Sequence, residues 1–387
     1  MKIGIFGGTF NPPHIGHLLS ARTAAEQLGL EKLFVIPSGM PPHKTIAEDA
    51  PSAKMRFLLT ETSFKNEPGV VVSNIEIKNP EASYTVDTVK TLAAQNPDSR
   101  IFLLVGADMY LTLDMWKDCE QLLELATPAV FFRSHHDKEK IVSFSLDLKK
   151  RYGVDTVIID NNIVDISSSR LRELLPMRGG SGYITDTTYS YIIRYRLYNA
   201  KPDWIWLRDR AYSMLDPARI PHVAGCEGEA VRLAARWGVD PDDAREAAIL
   251  HDITKKLTPE EHIEILERHG MNVGILGNAE EKLLHAKSGA ALAKSMFGVS
   301  GEVAGAILWH TTGRAGMTPL EKVIYLADYI EPERDIPGIA ALRAAAFENI
   351  DAALIMGMEM SVEDMVSRDI TPDRTTFDAI DDLKNRE

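Results

Sequence analysis

The run Gly7-Gly8-Thr9-Phe10-Asn11-Pro12-Pro13-His14-Ile15-Gly16-His17-Leu18 decides how the first half of the chain folds. Ahead of it, Ile3, Ile5 and Phe6 form a short apolar run that predicts a buried strand. Behind it, Leu18, Leu19, Ala21, Ala24, Ala25 and Leu28 recur at roughly helical spacing. The glycines, prolines and histidines therefore fall on a strand-to-helix turn. Gly7 and Gly8 let backbone approach a ligand with no Cβ in the way, and Pro12 and Pro13 stiffen the turn. A helix starting near Ile15 aims its free N–H groups at an anion. His14 and His17, three apart, project side by side from that turn, which reads as a phosphate-handling corner.

Working outward, apolar runs at 33–36, 70–77, 101–105, 129–132 and 156–159 alternate with helix-like segments such as 53–65, 85–95 and 118–126. That alternation predicts an α/β domain with a parallel, Rossmann-like sheet. Ligands in such folds bind beyond the carboxyl ends of the strands. Pro41-Pro42-His43-Lys44, Gly106-Ala107-Asp108 and Ile166-Ser167-Ser168-Ser169-Arg170-Leu171-Arg172 each follow a predicted strand. Three serines before Leu171, Leu174 and Leu175 are a helix N-cap signal. With Arg172 one turn into the helix, the same corner can hold phosphate oxygens through hydroxyls, backbone N–H groups and a guanidinium.

The opening run and the serine–arginine run together resemble the HxGH nucleotidyltransferase superfamily and, within it, bacterial nicotinate-nucleotide adenylyltransferase. Pro41–Lys44, Ser83-Tyr84-Thr85-Val86-Asp87-Thr88, Gly106–Asp108, Trp116-Lys117 and Tyr191-Ile192 with Leu197-Tyr198 extend the match over residues 1–199. Ser169 and Leu171 stand where that family more often has Thr and Ile, changes that keep the chemistry. The resemblance implies attack by a mononucleotide phosphate on the α-phosphorus of ATP, with pyrophosphate leaving and Mg²⁺ screening its charge. Gly7, Gly8, Thr9 and Phe10 then meet the nucleotide, His14 and His17 donate to the triphosphate, and Arg172, Ser168 and Ser169 hold other phosphate oxygens. It also implies Trp116 stacked on the pyridine ring of nicotinate mononucleotide and Tyr84 and Thr85 recognising its carboxylate. Lys44 falls near phosphate and Asp108 near the nucleotide sugar.

After Ala200-Lys201-Pro202-Asp203 the pattern changes. Residues 200–206 read as a linker through which Trp204 and Trp206 are expected to join two domains. From 207 to 387 the chain is rich in Ala, Glu, Leu and Arg at helical spacing, with candidate helices at 207–215, 222–237, 241–256, 259–269, 280–297, 301–310, 319–331, 337–348 and 350–367. An all-α bundle is expected. His222 opens one predicted helix, His251-Asp252 end another, His285 and His310 sit on later ones, and Asp328 follows. Adjacent residues on a helix point about 100° apart, so His251 and Asp252 reach one ion only if other helices close in, as in a bundle core. His135, His136, His262 and His269 fit no motif and read as surface residues.

The order His…His-Asp…Asp resembles the HD metal-dependent phosphohydrolases. Ile249–Lys255, Trp309–Arg314 and Tyr325–Pro332 are similar to the YqeK-like HD hydrolases that cleave diadenosine tetraphosphate symmetrically. That resemblance implies two metals held by His222, His251, Asp252, His285, His310 and Asp328, with Asp252 bridging. Imidazole and carboxylate donors without thiolate suit iron or manganese more than zinc. Lys255 and Arg314 are placed to bind the remaining phosphates, with a surface ion pair as the alternative for each.

Bulk properties bound the function. At 387 residues two domains are expected. A net charge of −13 argues against nucleic acid or anionic membrane as partner. No apolar run reaches the roughly 18 residues of a spanning helix. Met1-Lys2-Ile3-Gly4 does not open a signal peptide, and Cys119 and Cys226 are expected as free thiols, so a cytoplasmic enzyme is expected. The oligomeric state is not encoded in any of these features. Two alternatives are weighed: HD chemistry on another nucleotide, and a non-catalytic HD domain that senses a nucleotide and regulates the transferase.

Overall fold

A computed structural model describes residues 1–39, 50–78, 83–132, 137–271 and 283–385. The chain divides into two compact units, Met1–Lys201 and Pro202–Glu387.

The first unit carries a six-stranded sheet of β1 (Lys2–Gly8), β2 (Lys32–Pro37), β3 (Val70–Val72), β4 (Arg100–Gly106), β5 (Thr127–Phe131) and β6 (Val157–Ile159). Their order is β3-β2-β1-β4-β5-β6 and every pairing is parallel. The inner strands β1, β2, β4 and β5 are buried, whereas the edge strands β3 and β6 are partly open, with Val71 exposed. Ile3, Ile5, Phe34, Ile36, Leu103 and Val105 enter one apolar cluster, whereas Phe6, Leu33, Val35, Phe102 and Leu104 enter the other. The chain leaves β1 toward β2 on one side and pairs with β4 on the other, so a crevice opens beyond β1 and β4. The strand expected over 70–77 ends at Val72, and the chain turns at Asn74, whose carbonyl accepts from the N–H groups of Ile77 and Lys78. Beyond it, Ile75 packs against the apolar cluster on one face of the sheet, and Glu76 lines the crevice.

The helix Ile15–Leu28 begins directly after the prolines and ends at Gly29, whose φ of 60° is the left-handed cap that glycine accepts without strain. Ser167 caps Ser168–Leu174 through a hydrogen bond from Arg170 N, so the first of the three serines is the cap.

The second unit is helical throughout its described secondary structure. Asp203 caps Trp204–Ser213 by accepting from Ile205 N and Trp206 N, which starts this helix ahead of the expected 207. Trp204 and Trp206 pack half-buried on this unit's own core, Trp206 edge-on to Phe297 at 6.2 Å and Trp204 under Arg245. Capping boxes at Thr258/Glu261 and Thr318/Glu321 start Pro259–Arg268 and Pro319–Ile330. Arg374–Lys384 is a helix that sequence periodicity missed. Its Ala379, Ile380 and Leu383 face the core, whereas its other positions are mostly polar, leaving only a narrow apolar stripe.

Candidate functional site

The crevice of the first unit is a cavity of about 760 Å³. Gly7, Gly8, Thr9, His14, His17, Tyr84, Thr85, Asp108, Trp116, Ser168, Ser169 and Arg172 all line it. Segments far apart in sequence converge there because each leaves the carboxyl end of a strand or opens a helix. Phe10 corrects the expectation. Its ring is 1% exposed and packs edge-on to Phe6 and His17, with centroids 5.7 and 5.0 Å away, so it supports the site from behind. Lys44, with its Pro41-Pro42-His43 neighbours, lies outside the described residues.

The His14 and His17 rings lie side by side, tilted 38° to each other with centroids 3.8 Å apart. The backbone N–H of His14 donates to His17 Nδ1 at 3.2 Å. A neutral imidazole that accepts at Nδ1 carries its proton on Nε2. His17 therefore holds a donor at the far end of its ring, the form needed to stabilise charge growing on phosphate oxygen.

The serine–arginine turn closes onto the first turn through carbonyls. Ser168 Oγ donates to Pro12 O at 2.8 Å, and Arg172 Nη1 to Asn11 O at 2.7 Å. Arg172 Nη2 reaches Ser169 Oγ at 3.2 Å. Tyr198 donates its hydroxyl to Asn11 Oδ1 at 2.9 Å. Part of the donor capacity expected on phosphate is thus spent on fixing the turn itself.

Lys117, Glu76 and Arg56 also line the cavity, and the sequence reading gave none of them a role there. Lys117 sits over the Tyr84 ring at 4.1 Å and beside Asp87 at 3.8 Å. Glu76 accepts from Thr88 Oγ1 at 3.0 Å, and burial pushes its carboxyl up to about 7 against the relief given by Thr88 and Gly39. Arg56 is 1% exposed, and burial lowers its pKa. Nothing in the sequence of its helix, Ala53–Phe64, which also carries Lys54, sets Arg56 apart.

In the second unit, all six expected metal ligands converge. His222 comes from the first turn of Ile220–Trp237, and His251 and Asp252 from the end of Pro241–Leu250. His285 opens Leu284–Phe297, His310 closes Gly301–Trp309, and Asp328 lies within Pro319–Ile330. His222, His251 and Asp328 bring ligand atoms within 4.8 Å of one another, as do His251, Asp252 and His310. Asp252 is fully buried between two sets of imidazoles. Its Oδ2 is 3.4 Å from His251 Nε2, and its Oδ1 is 3.4 Å from His285 Nε2 and 3.7 Å from His310 Nε2.

The donor set suits divalent metal. His251 Nδ1 pairs with Ala248 O at 2.7 Å and His310 Nδ1 with Ile307 O at 2.6 Å, which turns each Nε2 lone pair to the centre. His222 Nδ1 pairs with Glu331 Oε1 at 3.2 Å to the same effect. His251 Nε2 and Asp252 Oδ1 are buried with no well-formed hydrogen bond, a costly arrangement that a cation relieves. Burial opposes ionisation of Asp252, yet His251, His310 and Lys255 hold its carboxyl well below the usual range. Asp328 is likewise held ionised against burial by His222 and its neighbours.

Cations rim the cluster. Lys255 Nζ is 2.9 Å from His285 Nε2, Arg219 Nε donates to Asp252 Oδ2 at 2.6 Å, and Arg334 Nη2 reaches Asp328 Oδ1 at 3.4 Å. Arg219, Arg334 and Glu331 were not foreseen, because nothing in their spacing sets them apart from surface charges. Arg314 gives both Nε and Nη2 to Glu321 Oε1, at 3.2 and 3.0 Å, which is the ion-pair reading. His262 departs from its surface assignment: it is 5% exposed and pairs with Ser288 Oγ at 2.7 Å, one turn along from His285. His269 is exposed, and His135 and His136 lie outside the described residues.

Two family models match this chain, one in each half. A cytidylyltransferase-like family model matches residues 5–174, and an HD domain model matches 219–333. A "Probable nicotinate-nucleotide adenylyltransferase" of Clostridium novyi is 36% identical over 183 residues, 47% of this chain and 91% of that protein. One of the same name from Carboxydothermus hydrogenoformans is 37% identical over 201 residues, 51% of this chain and 98% of that protein. A crystal structure from Clostridium acetobutylicum, described as a predicted HD superfamily hydrolase involved in NAD metabolism, is 36% identical. It covers 48% of this chain and 98% of its own, with a TM-score of 0.45. Through its N-terminal half the chain belongs to the nicotinate-nucleotide adenylyltransferase family, and it carries an HD domain in its C-terminal half.

Proposed function

We propose that the chain joins two enzymes, one making nicotinate adenine dinucleotide from ATP and nicotinate mononucleotide, the other hydrolysing diadenosine tetraphosphate to two ADP. The transferase reading rests on family membership together with His14, His17, Trp116 and the serine–arginine turn around one cavity. A phosphate oxygen of the mononucleotide attacks the α-phosphorus of ATP, a new P–O–P bond forms, and the bond to pyrophosphate breaks. Both reactants are anions, so the work is positioning and charge neutralisation. His17 presents its Nε2 proton and His14 lies against it, while Arg172 and Ser169 add donors at the start of the second helix. Trp116 offers a face for the pyridine ring, and the start of Thr85–Gln95 offers N–H groups for its carboxylate. Mg²⁺ carried in with ATP supplies charge screening for the leaving pyrophosphate.

The hydrolase reading rests on Asp252, placed between two groups of imidazoles with an oxygen toward each. His222, His251 and Asp328 would hold one divalent ion and His285 and His310 a second, iron or manganese by donor type, with Asp252 shared. Such a pair supplies an activated water and a clamp on the attacked phosphate. Water oxygen adds to an inner phosphorus of the tetraphosphate, one central P–O bond breaks, and a proton passes to solvent. Arg219, Lys255 and Arg334 border the cluster on the side open to solvent and meet the remaining phosphate charge. The helix-rich unit contains no helix long and apolar enough to cross a membrane among its described residues, and both sets of substrates are water-soluble nucleotides, which fits a cytoplasmic enzyme.

Incubating the full chain with diadenosine tetraphosphate and Fe²⁺ or Mn²⁺, then separating the products, tests the second activity. Two ADP supports it; AMP with ATP means asymmetric cleavage, and intact ligand means a sensor or another substrate. Dinucleotide formation from ATP and nicotinate mononucleotide tests the first.

A further inference from the structure

A buried cation in the first unit has no part in the chemistry just described. Arg56 is almost completely enclosed, yet it borders the cavity. Its Nη1 donates to Thr9 O at 2.8 Å, and its Nη2 to Ser38 O at 2.7 Å and Gly39 O at 3.1 Å. Its Nε is buried without a hydrogen-bond partner. Burying a guanidinium is costly even when it is well bonded. A methionine would fill much of the same space without that penalty, so packing alone does not account for the charge.

The three carbonyls it holds lie in two places that must stay in register. Thr9 follows β1 and Ser38 follows β2. The ladder between these strands ends at the Gly8–Pro37 pair, with Ser38 N donating to Gly8 O at 2.9 Å as the last rung. Arg56 continues that connection one step further, where the backbones part to make the cavity floor. Gly39 in turn presses on the opposite wall: a Cβ there would lie 2.4 Å from Glu76 O. Glu76 is bonded to Thr88, and Ser83 Oγ reaches Glu76 O at 3.4 Å. One side chain therefore links the turn that carries His14 and His17 to the wall that carries Tyr84 and Thr85.

The same contact sets the polarity of the turn. The carbonyls of Thr9, Asn11 and Pro12 are taken by Arg56, Arg172 and Ser168 respectively. A captured carbonyl does not oppose a phosphate, and the turn's remaining polarity is that of its N–H groups.

We propose that Arg56 is a positioning residue for adenylyl transfer, a buried brace that fixes the distance between the triphosphate turn and the nicotinate wall. This rests on the transferase reading given above. An in-line displacement needs its two anions aligned, and misplacement by about 1 Å costs on the order of a hundredfold in rate. Arg56 gives all its hydrogen bonds to backbone carbonyls and is 1% exposed, so its loss as a brace acts on kcat rather than on the KM of either substrate.

The test uses the full chain with Arg56→Met and Arg56→Lys, measuring kcat, both KM values and Tm. Arg56→Met is expected to lower kcat about ten- to a hundredfold while each KM stays within about threefold. Arg56→Lys, which keeps the charge and can still reach a carbonyl, recovers part of kcat. If Arg56→Met does not fold, Arg56→Lys alone decides, with a several-fold fall in kcat at near-normal Tm expected. Unchanged kcat with a lowered Tm overturns the proposal, because Arg56 is then only structural. A raised KM at normal kcat also overturns it, because Arg56 is then a binding group. A wild-type chain that makes no dinucleotide from ATP and nicotinate mononucleotide fails before any variant is compared, and removes the transferase reading and this inference with it.

Discussion

Arg172 Nη1 donates to the carbonyl oxygen of Asn11 at 2.7 Å, across 161 positions of sequence. This bond closes the second helix N-terminus onto the first, and Arg172 Nη2 stays on Ser169 Oγ at the cavity edge. The guanidinium is thereby held in one orientation before any phosphate arrives, which is the condition for electrostatic stabilisation without reorganisation. Arg172→Met is expected to lower kcat/KM for adenylyl transfer by about a hundredfold or more, in the range of a lost transition-state donor. Steady-state kinetics with ATP varied checks this; a loss of less than about threefold would leave Arg172 a structural tie only.

Tyr198 reaches the same turn from the end of the unit. Its backbone is left-handed at φ 60°, uncommon for a non-glycine residue, and its buried hydroxyl donates to Asn11 Oδ1 at 2.9 Å. Burial raises the phenol pKa, so the hydroxyl remains a neutral donor. Tyr198→Phe keeps the ring and leaves Asn11 Oδ1 without this donor. A loss of about 1 kcal/mol in the stability of the first unit is expected, read as a shift of its urea midpoint at unchanged slope.

The parts legible in the sequence are those where local pattern and chemistry coincide. The parallel sheet follows from apolar runs alternating with helical spacing. His222, His251, Asp252, His285, His310 and Asp328 stand out because imidazole and carboxylate at helix ends are uncommon unless something gathers them. Arg56, Glu76 and Glu331 were not legible. Each acts through burial against backbone or a partner 109 positions away in the case of Glu331 and His222, and burial of a single charged residue leaves no periodic signature. Phe10 and His262 were misjudged for the related reason that a turn residue or a helical histidine can face either way. Only tertiary packing decides it.

Glu76 gives the first unit a pH dependence. The carboxyl, raised by burial from an ordinary 4.5 to about 7, is protonated in the folded chain over a range where the unfolded chain has already released its proton. The folded state binds more protons between those values, so this contribution to stability is full below about 4.5 and is lost as pH rises through about 7. Glu76→Gln, which copies the protonated form, is expected to raise Tm relative to the wild type at alkaline pH and to leave it unchanged at or below 4.5. Equal Tm differences at both ends would show that the carboxyl does not titrate in this range.

The two chemistries call for different residues, which makes them separable. His17→Ala is expected to abolish adenylyl transfer and leave hydrolysis of diadenosine tetraphosphate intact. Asp252→Ala, which removes the carboxylate shared between the imidazole groups, is expected to do the reverse. Both activities are measured on each purified, folded variant. A single substitution that silences both would mean that the two sites do not act independently.

Glu331 shapes the metal-type cluster without belonging to its inner set. It is 3% exposed, its Oε1 pairs with His222 Nδ1 at 3.2 Å, and its Oε2 accepts from Glu333 N at 2.8 Å. Held at both oxygens, the carboxylate orients the His222 ring, keeps the Nδ1 proton in place and makes the Nε2 lone pair, 3.1 Å from Asp328 Oδ1, a stronger ligand for a metal shared with that carboxylate. Glu331→Gln preserves size and one acceptor but removes the charge. Affinity for Mn²⁺ is expected to fall about ten- to a hundredfold, the usual effect of removing such an outer partner. Titration of the full chain with Mn²⁺, followed by calorimetry, measures this independently of any substrate. Asp328→Asn, which alters an inner ligand, should cost more. Equal affinity in Glu331→Gln and wild type would mean that His222 is oriented by its helix alone.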